Sequence, residues 1–289
     1  MWVYILIFVL LILLIIYVIF ESRGYRTVTY NINSEDYKGA PLRFVFLADL
    51  HNVVYKPDNK PLLDTIDELK PDFIVFGGDM VTSGWDISFD YSKTLEFISA
   101  LTKKYSVYYA PGNHEEKFDW ERYRFPTQYD DLIKALSEYG VNYLDNEEIL
   151  IPEHNLRIYG LRLSHKYYAK FKKMYLEDDY LSNIFGQVDP ENFSVLIAHN
   201  PEFFDTYSKW GANLVLSGHV HGGIVSLPFI GGIIAPGIKL FPQYDAGLFY
   251  KNDSLMVLTR GIGYHCIPVR IRNKAEVVCI NLQGDCDES

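Results

Sequence analysis

A chain of 289 residues, 48% hydrophobic and 22% charged, is long enough for one large globular domain or two small ones. Its formal net charge of −10 excludes wholesale nucleic-acid binding, which calls for a basic balance and a basic patch. The three cysteines, Cys266, Cys279 and Cys286, are odd in number, late in the chain and without metal-ligand spacing; this argues against a disulfide framework and suits a reducing compartment.

Residues 1–20, MWVYILIFVLLILLIIYVIF, carry no charged side chain. As a helix they span about 30 Å, the thickness of the hydrocarbon core of a bilayer. Trp2 and Tyr4 at one end and Tyr17 at the other suit interfacial anchors. No Lys or Arg precedes the run, it is too long for a signal peptide, and no small-x-small cleavage site follows, so an uncleaved transmembrane anchor is expected. Positive charge follows the span at Arg23, Arg26, Lys38 and Arg43. The positive-inside rule then places the globular part in the cytoplasm of a single-pass cell-membrane protein. Residues 21–41 read as a polar linker with one edge strand.

From residue 42 onward a grammar repeats. Four short apolar runs end in polar residues suited to metal: LRFVFLADLH (42–51), DFIVFGGD (72–79), VYYAPGNHE (107–115) and SVLIAHN (194–200). NLVLSGHVH (213–221) is the fifth. Such runs fit strands buried on both faces. Between them, 60–70 and 90–104 read as helices; in the second, Leu95, Ile98 and Leu101 recur at three-residue steps. Strands alternating with helices argue an α/β layered fold. Further strands are expected at 156–161, 255–259 and 275–282, the last two in a second sheet. Residues 164–185, rich in Tyr, Phe and Lys, read as an insertion over one face, and 283–289 as a tail.

In open α/β sheets function gathers outside the carboxyl ends of the strands. Here those ends deliver Asp49 and His51, Asp79, Asn113 and His114, His199, then His219 and His221. In extended backbone, residues i and i+2 share a side, so Asp49 is expected to pair with His51, and His219 with His221. The mixture of carboxylates, one amide and several imidazoles is too nitrogen-rich for calcium or magnesium and lacks the thiolates of structural zinc. It suits a catalytic site for Mn, Fe, Zn or Co. The set exceeds what one ion needs; two ions about 3.5–4 Å apart, sharing a carboxylate and a hydroxide, would use it. Each residue alone has an ordinary reading, as a turn aspartate, a cap or a satisfied histidine. Five together at strand ends do not.

The motifs D-x-H, G-D, G-N-H-E, a lone His after an apolar run and G-H-x-H, in this order, resemble the calcineurin-like metallophosphoesterase superfamily over residues 42–282. With the anchor, AHNPEFF, SGHVHGGIVSLP and TRGIGYHCIPVR look like its bacterial membrane-associated branch. The resemblance implies a four-layer α/β/β/α sandwich behind an N-terminal transmembrane helix. It implies a metal-dependent phosphoric ester hydrolase, with two metal ions, manganese foremost and Fe, Zn or Co as alternatives. Asp49, His51 and His221 would hold one ion and Asn113, His199 and His219 the other, with Asp79 between them. His114 would stabilise the transition state or protonate the leaving oxygen, while a bridging hydroxide attacks phosphorus in line.

Two positions depart from the commonest pattern: Glu115 stands where Asp is frequent, and Ile224 where Gln is frequent. Neither is expected to touch a ligand, so their effect is expected on substrate contacts. Arg260 and His265 are candidate substrate contacts through the same resemblance, while His154 and His165 read as surface or loop histidines. The expected substrate is a lipid-linked or membrane-proximal phosphoester. A nucleotide-sugar-lipid pyrophosphatase and a non-catalytic membrane scaffold are the alternatives; the complete ligand set argues against the scaffold.

Overall fold

The computed structural model describes residues 2–84, 90–169, 174–223, 225–227, 231–235, 239–264 and 269–284. Ile224, His265, Cys266 and Cys286 lie outside the described residues. The first half runs α1 (Trp2–Ser22), β1 (Tyr25–Ser34), β2 (Leu42–Leu47), α2 (Lys60–Leu69), β3 (Phe73–Phe76), α3 (Ser92–Thr102), β4 (Ser106–Tyr109), α4 (Asn113–Trp120), α5 (Gln128–Glu138) and β5 (Asn142–Tyr143). The second half runs β6 (Glu147–Ile151), β7 (Leu156–Leu161), α6 (Tyr180–Phe185), β8 (Phe193–Ala198), α7 (Phe204–Trp210) and β9 (Leu214–Ser217). Two short hairpins follow, β10 (Ser226–Leu227) with β11 (Gly231–Gly232) and β12 (Ile234–Ala235) with β13 (Lys239–Leu240). The chain then adds β14 (Gly247–Lys251), β15 (Ser254–Leu258) and β16 (Ala275–Gly284).

Twelve of these strands build two six-stranded sheets, ordered β1-β16-β2-β3-β4-β5 and β14-β15-β9-β8-β7-β6. The run LRFVFL shows why they stack. Phe44 and Phe46 enter the core between the sheets, with Val278 and Ile280 beside them and Ile158, Val195, Ile197 and Leu216 opposite. The intervening Val45 and Leu47 face the other way, into a layer with Leu62 and Ile66 of α2, Phe97 and Ile98 of α3 and Leu132 of α5. A strand with both faces apolar must be covered twice. The second sheet is covered on its outer face by Leu181 of α6 and by Phe204, Tyr207 and Trp210 of α7. The result is the four-layer α/β/β/α sandwich, each large buried side chain contributing about 1.5–3 kcal/mol.

β2, β3, β4 and β5 run parallel, as do β7, β8, β9 and β15. Their carboxyl ends therefore open on the same side of each sheet, and the five polar-tipped runs are β2, β3, β4, β8 and β9. Residues 60–70 and 90–104 contain α2 and α3. Within the expected insertion, a 3-10 turn at His165–Tyr168 and α6 are described, and residues 170–173 are not.

One expectation is corrected. The run 275–282, expected in the second sheet, forms β16 of the first, antiparallel to β2 and parallel to β1. Its alternation fits that place: Val278, Ile280 and Leu282 enter the inter-sheet core while Val277 faces the helices. β1 pairs with it over ten residues, so most of the segment expected as a linker belongs to the sheet. α1 is exposed along its length and is long and apolar enough to cross a membrane.

Removing β1 would leave β16 as an unprotected edge and take Ile32 out of the core. A chain beginning at Gly24 is expected to unfold cooperatively in urea, and one beginning at Glu35 to aggregate or unfold at markedly lower urea. Urea titration followed by circular dichroism compares them.

Candidate active site

The loops after five strands converge on two buried carboxylates. Asp49 and Asp79 are almost fully buried, as are His51, His114 and His199. Asp49, His51, Asp79, His219 and His221 all have positive φ, between 51° and 72°. The candidate ligands therefore sit in left-handed turns and not, as expected, in extended backbone. Such turns are uncommon outside glycine, Asp and His are among the side chains that adopt them most readily, and they cluster at functional sites. Close backbone approach makes them possible: a Cβ on Gly112 would collide with the Asp79 carboxylate and backbone.

Two ligand groups share this space. In the first, His51 Nε2 and His221 Nε2 are 3.0 Å apart, and Asp49 Oδ1 lies 3.7 Å from one and 3.4 Å from the other. In the second, Asp79, His199 and His219 present ligand atoms within 4.8 Å of one another, and His199 Nε2 lies 3.1 Å from Asp79 Oδ2. Asp79 Oδ2 is also 3.9 Å from His51 Nε2, so this carboxylate faces both groups. His219 and His221 thus belong to different groups, which their spacing alone does not suggest. Buried Asn113 Oδ1 has no hydrogen bond, and His199 Nε2 has only the Asp79 carboxylate, at 3.1 Å, before it. A metal ion would satisfy both atoms, and the donors are the nitrogen and oxygen types such ions take.

What stands behind each ring sets its proton. His199 Nδ1 donates to the Gly77 carbonyl at 2.6 Å, leaving Nε2 bare in the neutral ring. His51 Nδ1 meets Thr82 Oγ1 at 3.1 Å, a partner able to accept the Nδ1 proton in the same way. His114 is wired oppositely. Its Nδ1 accepts the Ser83 backbone N–H at 2.8 Å, so the neutral ring carries its proton on Nε2, 4.0 Å from Asp79 Oδ2. That ring is within ligand reach of His51 and Asp79, but its bonding makes it a donor.

Glu115 is where the sequence reading needs correction. It is fully buried and contacts a ligand's own backbone. Its carboxylate accepts N–H bonds from Asp79, Met80, Val81 and Gly112, and the Tyr109 hydroxyl as well. It clamps the β3 and β4 loops together beneath the site. Arg260, expected at substrate, has its guanidinium engaged by Asn273 and Glu276. Asn273 in turn donates to the carbonyls of His221 and Gly223, so Arg260 supports that ligand turn from behind.

Other supports have no signature in the motifs. Arg270 is buried and donates to the carbonyls of Arg260, Gly261, Gly263 and Asn273. It fixes a turn whose Gly263 N–H bonds Asp49 O at 2.7 Å. Tyr168, from the expected insertion, packs its ring 5.1 Å from that of His219 and 6.3 Å from that of His199. His165 is exposed, as expected of a surface histidine, and stacks on Trp120 at 3.9 Å, 3.8 Å from Glu116.

The calcineurin-like phosphoesterase family model matches residues 42–223. The chain belongs to that family. Among similar proteins, phosphodiesterase YaeI of Escherichia coli is 26% identical, over 91% of this chain and 88% of its own. The uncharacterized metallophosphoesterase YkuE of Bacillus subtilis is 26% identical over 84% and 79%. A transmembrane protein with metallophosphoesterase domain from Danio rerio is 24% identical over 84% of this chain and 53% of that one. This phosphoesterase is a metal-dependent phosphoester hydrolase, and the Asp/His groups are its metal-binding candidates.

The electrostatics give two tests. Burial opposes the charge on His199, but Asp79 and then Asp49 outweigh it and push the ring up to about 10 from its ordinary 6.5. Without metal, the stabilisation from this proton is complete below about pH 6.5 and fades as pH rises towards 10. Metal must displace the same proton, so apparent Mn²⁺ affinity is expected to rise with pH across that window, by up to about tenfold per unit. Calorimetry in buffers of different ionisation enthalpy reads the released proton directly. Burial, with Asp79's charge second, pushes Glu115 upward as well. Glu115→Gln turns one accepting oxygen into an NH₂ facing backbone N–H groups. It is expected to cost about 1–3 kcal/mol in urea unfolding and to lower metal content.

Proposed function

We propose that the protein is a membrane-anchored, dinuclear metal-dependent phosphoric ester hydrolase. Its substrate is a lipid-linked or membrane-proximal phosphoester, and α1 holds its catalytic domain on the cytoplasmic face. The observation that carries the reading is the pair of candidate ligand groups facing one shared carboxylate, Asp79, with Asn113 Oδ1 buried beside them and without a hydrogen bond. Asp49, His51 and His221 would hold one ion; Asn113, His199 and His219 the other. When bound, the metal supplies Lewis-acid stabilisation of phosphoryl oxygens and a more acidic water.

The chain's own residues do the rest. Gly77, and Thr82 through its hydroxyl, orient the ligand rings, while Glu115 holds Asp79 in its strained turn. His114, its proton fixed on Nε2 by Ser83, is placed to protonate a leaving oxygen or to stabilise the developing charge. The basic residues Arg23, Arg26, Lys38 and Arg43 following α1 support the cytoplasmic placement.

The test is hydrolysis of bis(p-nitrophenyl) phosphate and p-nitrophenyl phosphate by the full chain loaded with Mn²⁺, Fe²⁺, Zn²⁺ or Co²⁺. Activity is expected to vanish with chelator and return with metal. His114→Ala is expected to lower kcat about 10²–10⁴-fold with little change in KM or metal content. Asp79→Asn is expected to lose metal. No turnover with any of these ions, together with undiminished metal in Asp79→Asn, overturns the reading. Release of a nucleoside monophosphate from a lipid-linked nucleotide would mark a pyrophosphatase.

A further inference from the structure

We propose that the exposed side chains of Leu227, Leu240 and Phe241 form a second membrane contact: they enter the interface of the leaflet that holds the C-terminal end of α1, bringing the metal site to the lipid head groups. This rests on the anchoring part of the reading above.

The end of α1 is tied to a particular place on the domain. Ser22, its last residue, accepts the Arg270 backbone N–H on Oγ at 2.8 Å, and the Lys274 ammonium sits 4.9 Å above the Phe20 ring. A short ladder leads outward from there. Ser226 N–H bonds Ile271 O, Ile233 N–H bonds Val225 O, and Phe241 N–H bonds Ile233 O, at 3.0, 2.8 and 2.9 Å. At about 4.8 Å per step, three steps put Phe241 within roughly 15 Å of Ile271, and Ile271 adjoins the residue bonded to the helix end. The hairpins are therefore neighbours of the anchor, whatever the path of the chain between them.

Their exposed side chains are of the wrong kind for water. Leu240 and Phe241 are 59% and 63% exposed, and Leu227 is 38% exposed on the adjoining hairpin. Phe241 holds this position at φ 50°, a conformation costly for a bulky aromatic and repaid by no burial within the chain. Basic residues gather at the helix end: Arg272 is exposed, Lys274 stands over Phe20, and Arg23 follows α1, while on the hairpins the Asp245 carboxylate accepts the Gly232 N–H at 2.8 Å. In a chain of net charge −10, basic groups gathered where α1 meets the domain match an anionic leaflet. Continuity with the anchor is what selects a bilayer over a protein partner as the occupant.

The same segments carry the site. A Cβ on Gly232 of β11 would press on the Gly222 carbonyl, next to ligand His221, and Asn273 bonds the His221 and Gly223 carbonyls. Seating the hairpins in the interface thus holds the His221 turn at head-group depth. A phosphoester presented there needs no extraction from the bilayer.

The experiment places the full chain in nanodiscs of equal parts phosphatidylcholine and phosphatidylglycerol, with bromine high on the acyl chains of half of them. Phe241→Trp and Leu240→Trp are compared with Leu150→Trp, an exposed apolar position on β6 at the far edge of the second sheet. After subtraction of wild-type emission, bromine is expected to quench the indole introduced by Phe241→Trp or Leu240→Trp roughly twofold, and that introduced by Leu150→Trp hardly at all. Quenching no greater than in Leu150→Trp overturns the proposal and leaves the patch to a protein partner. Failure of the protein to float with the lipid overturns it together with the anchoring reading. Hydrolysis of soluble bis(p-nitrophenyl) phosphate by the same samples reports on folding and on the hydrolase reading separately, because Leu240 and Phe241 are outside the ligand set.

Discussion

Asp49, Asp79 and Glu115 are three carboxyl groups buried within one small region, and charge there must be compensated. The rest of the site follows from that constraint. Glu115 is answered by four backbone N–H groups and a hydroxyl, so its charge is absorbed by the fold. Asp49 is partly answered by the His219 N–H, and Asp79 by the His114 N–H at 2.8 Å. What remains on Asp79 is met by the His199 imidazolium, a proton occupying the place for which metal competes.

Supporting contacts divide one residue type between two tasks. Two histidines have possible or actual acceptors behind them and turn a bare Nε2 inward; one has a backbone donor behind it and turns a proton inward. Position on the sheet does not make that distinction, because all three follow strand ends. The donor is Ser83 N–H, which is held near by the same loop that Glu115 clamps at Val81. Ligand geometry and proton placement therefore depend on one buried carboxylate outside the ligand set.

Much of this was legible in the residues. Apolar runs tipped with Asp, Asn and His located the strands and the candidate ligands, since burial on both faces leaves a continuous hydrophobic signal. What was not legible depends on partners distant in sequence. β16 reads as a strand anywhere, and only its pairing with β2 and β1 puts it in the first sheet. Asp49 and His51 share a group through left-handed turns, not through strand alternation. Arg270 and Asn273 act on backbone carbonyls, which have no sequence signature, and Tyr168 reaches His219 across a long insertion. Glu115 carries the sharpest lesson. Its place beside a ligand suggests a side chain facing substrate, whereas it faces inward and holds the backbone.

The pairing of β1 with β16 has a consequence for how the molecule is made. Residues 26 and 276 meet as neighbours although 250 positions separate them. At about 5–20 residues per second, β1 waits on the order of 10–50 s of synthesis for its partner. If α1 has already entered a bilayer, the unpaired β1 is held against the membrane surface throughout that wait. Its edge is then kept from other nascent chains by tethering as well as by sequence. β16 then completes the sheet between β1 and β2.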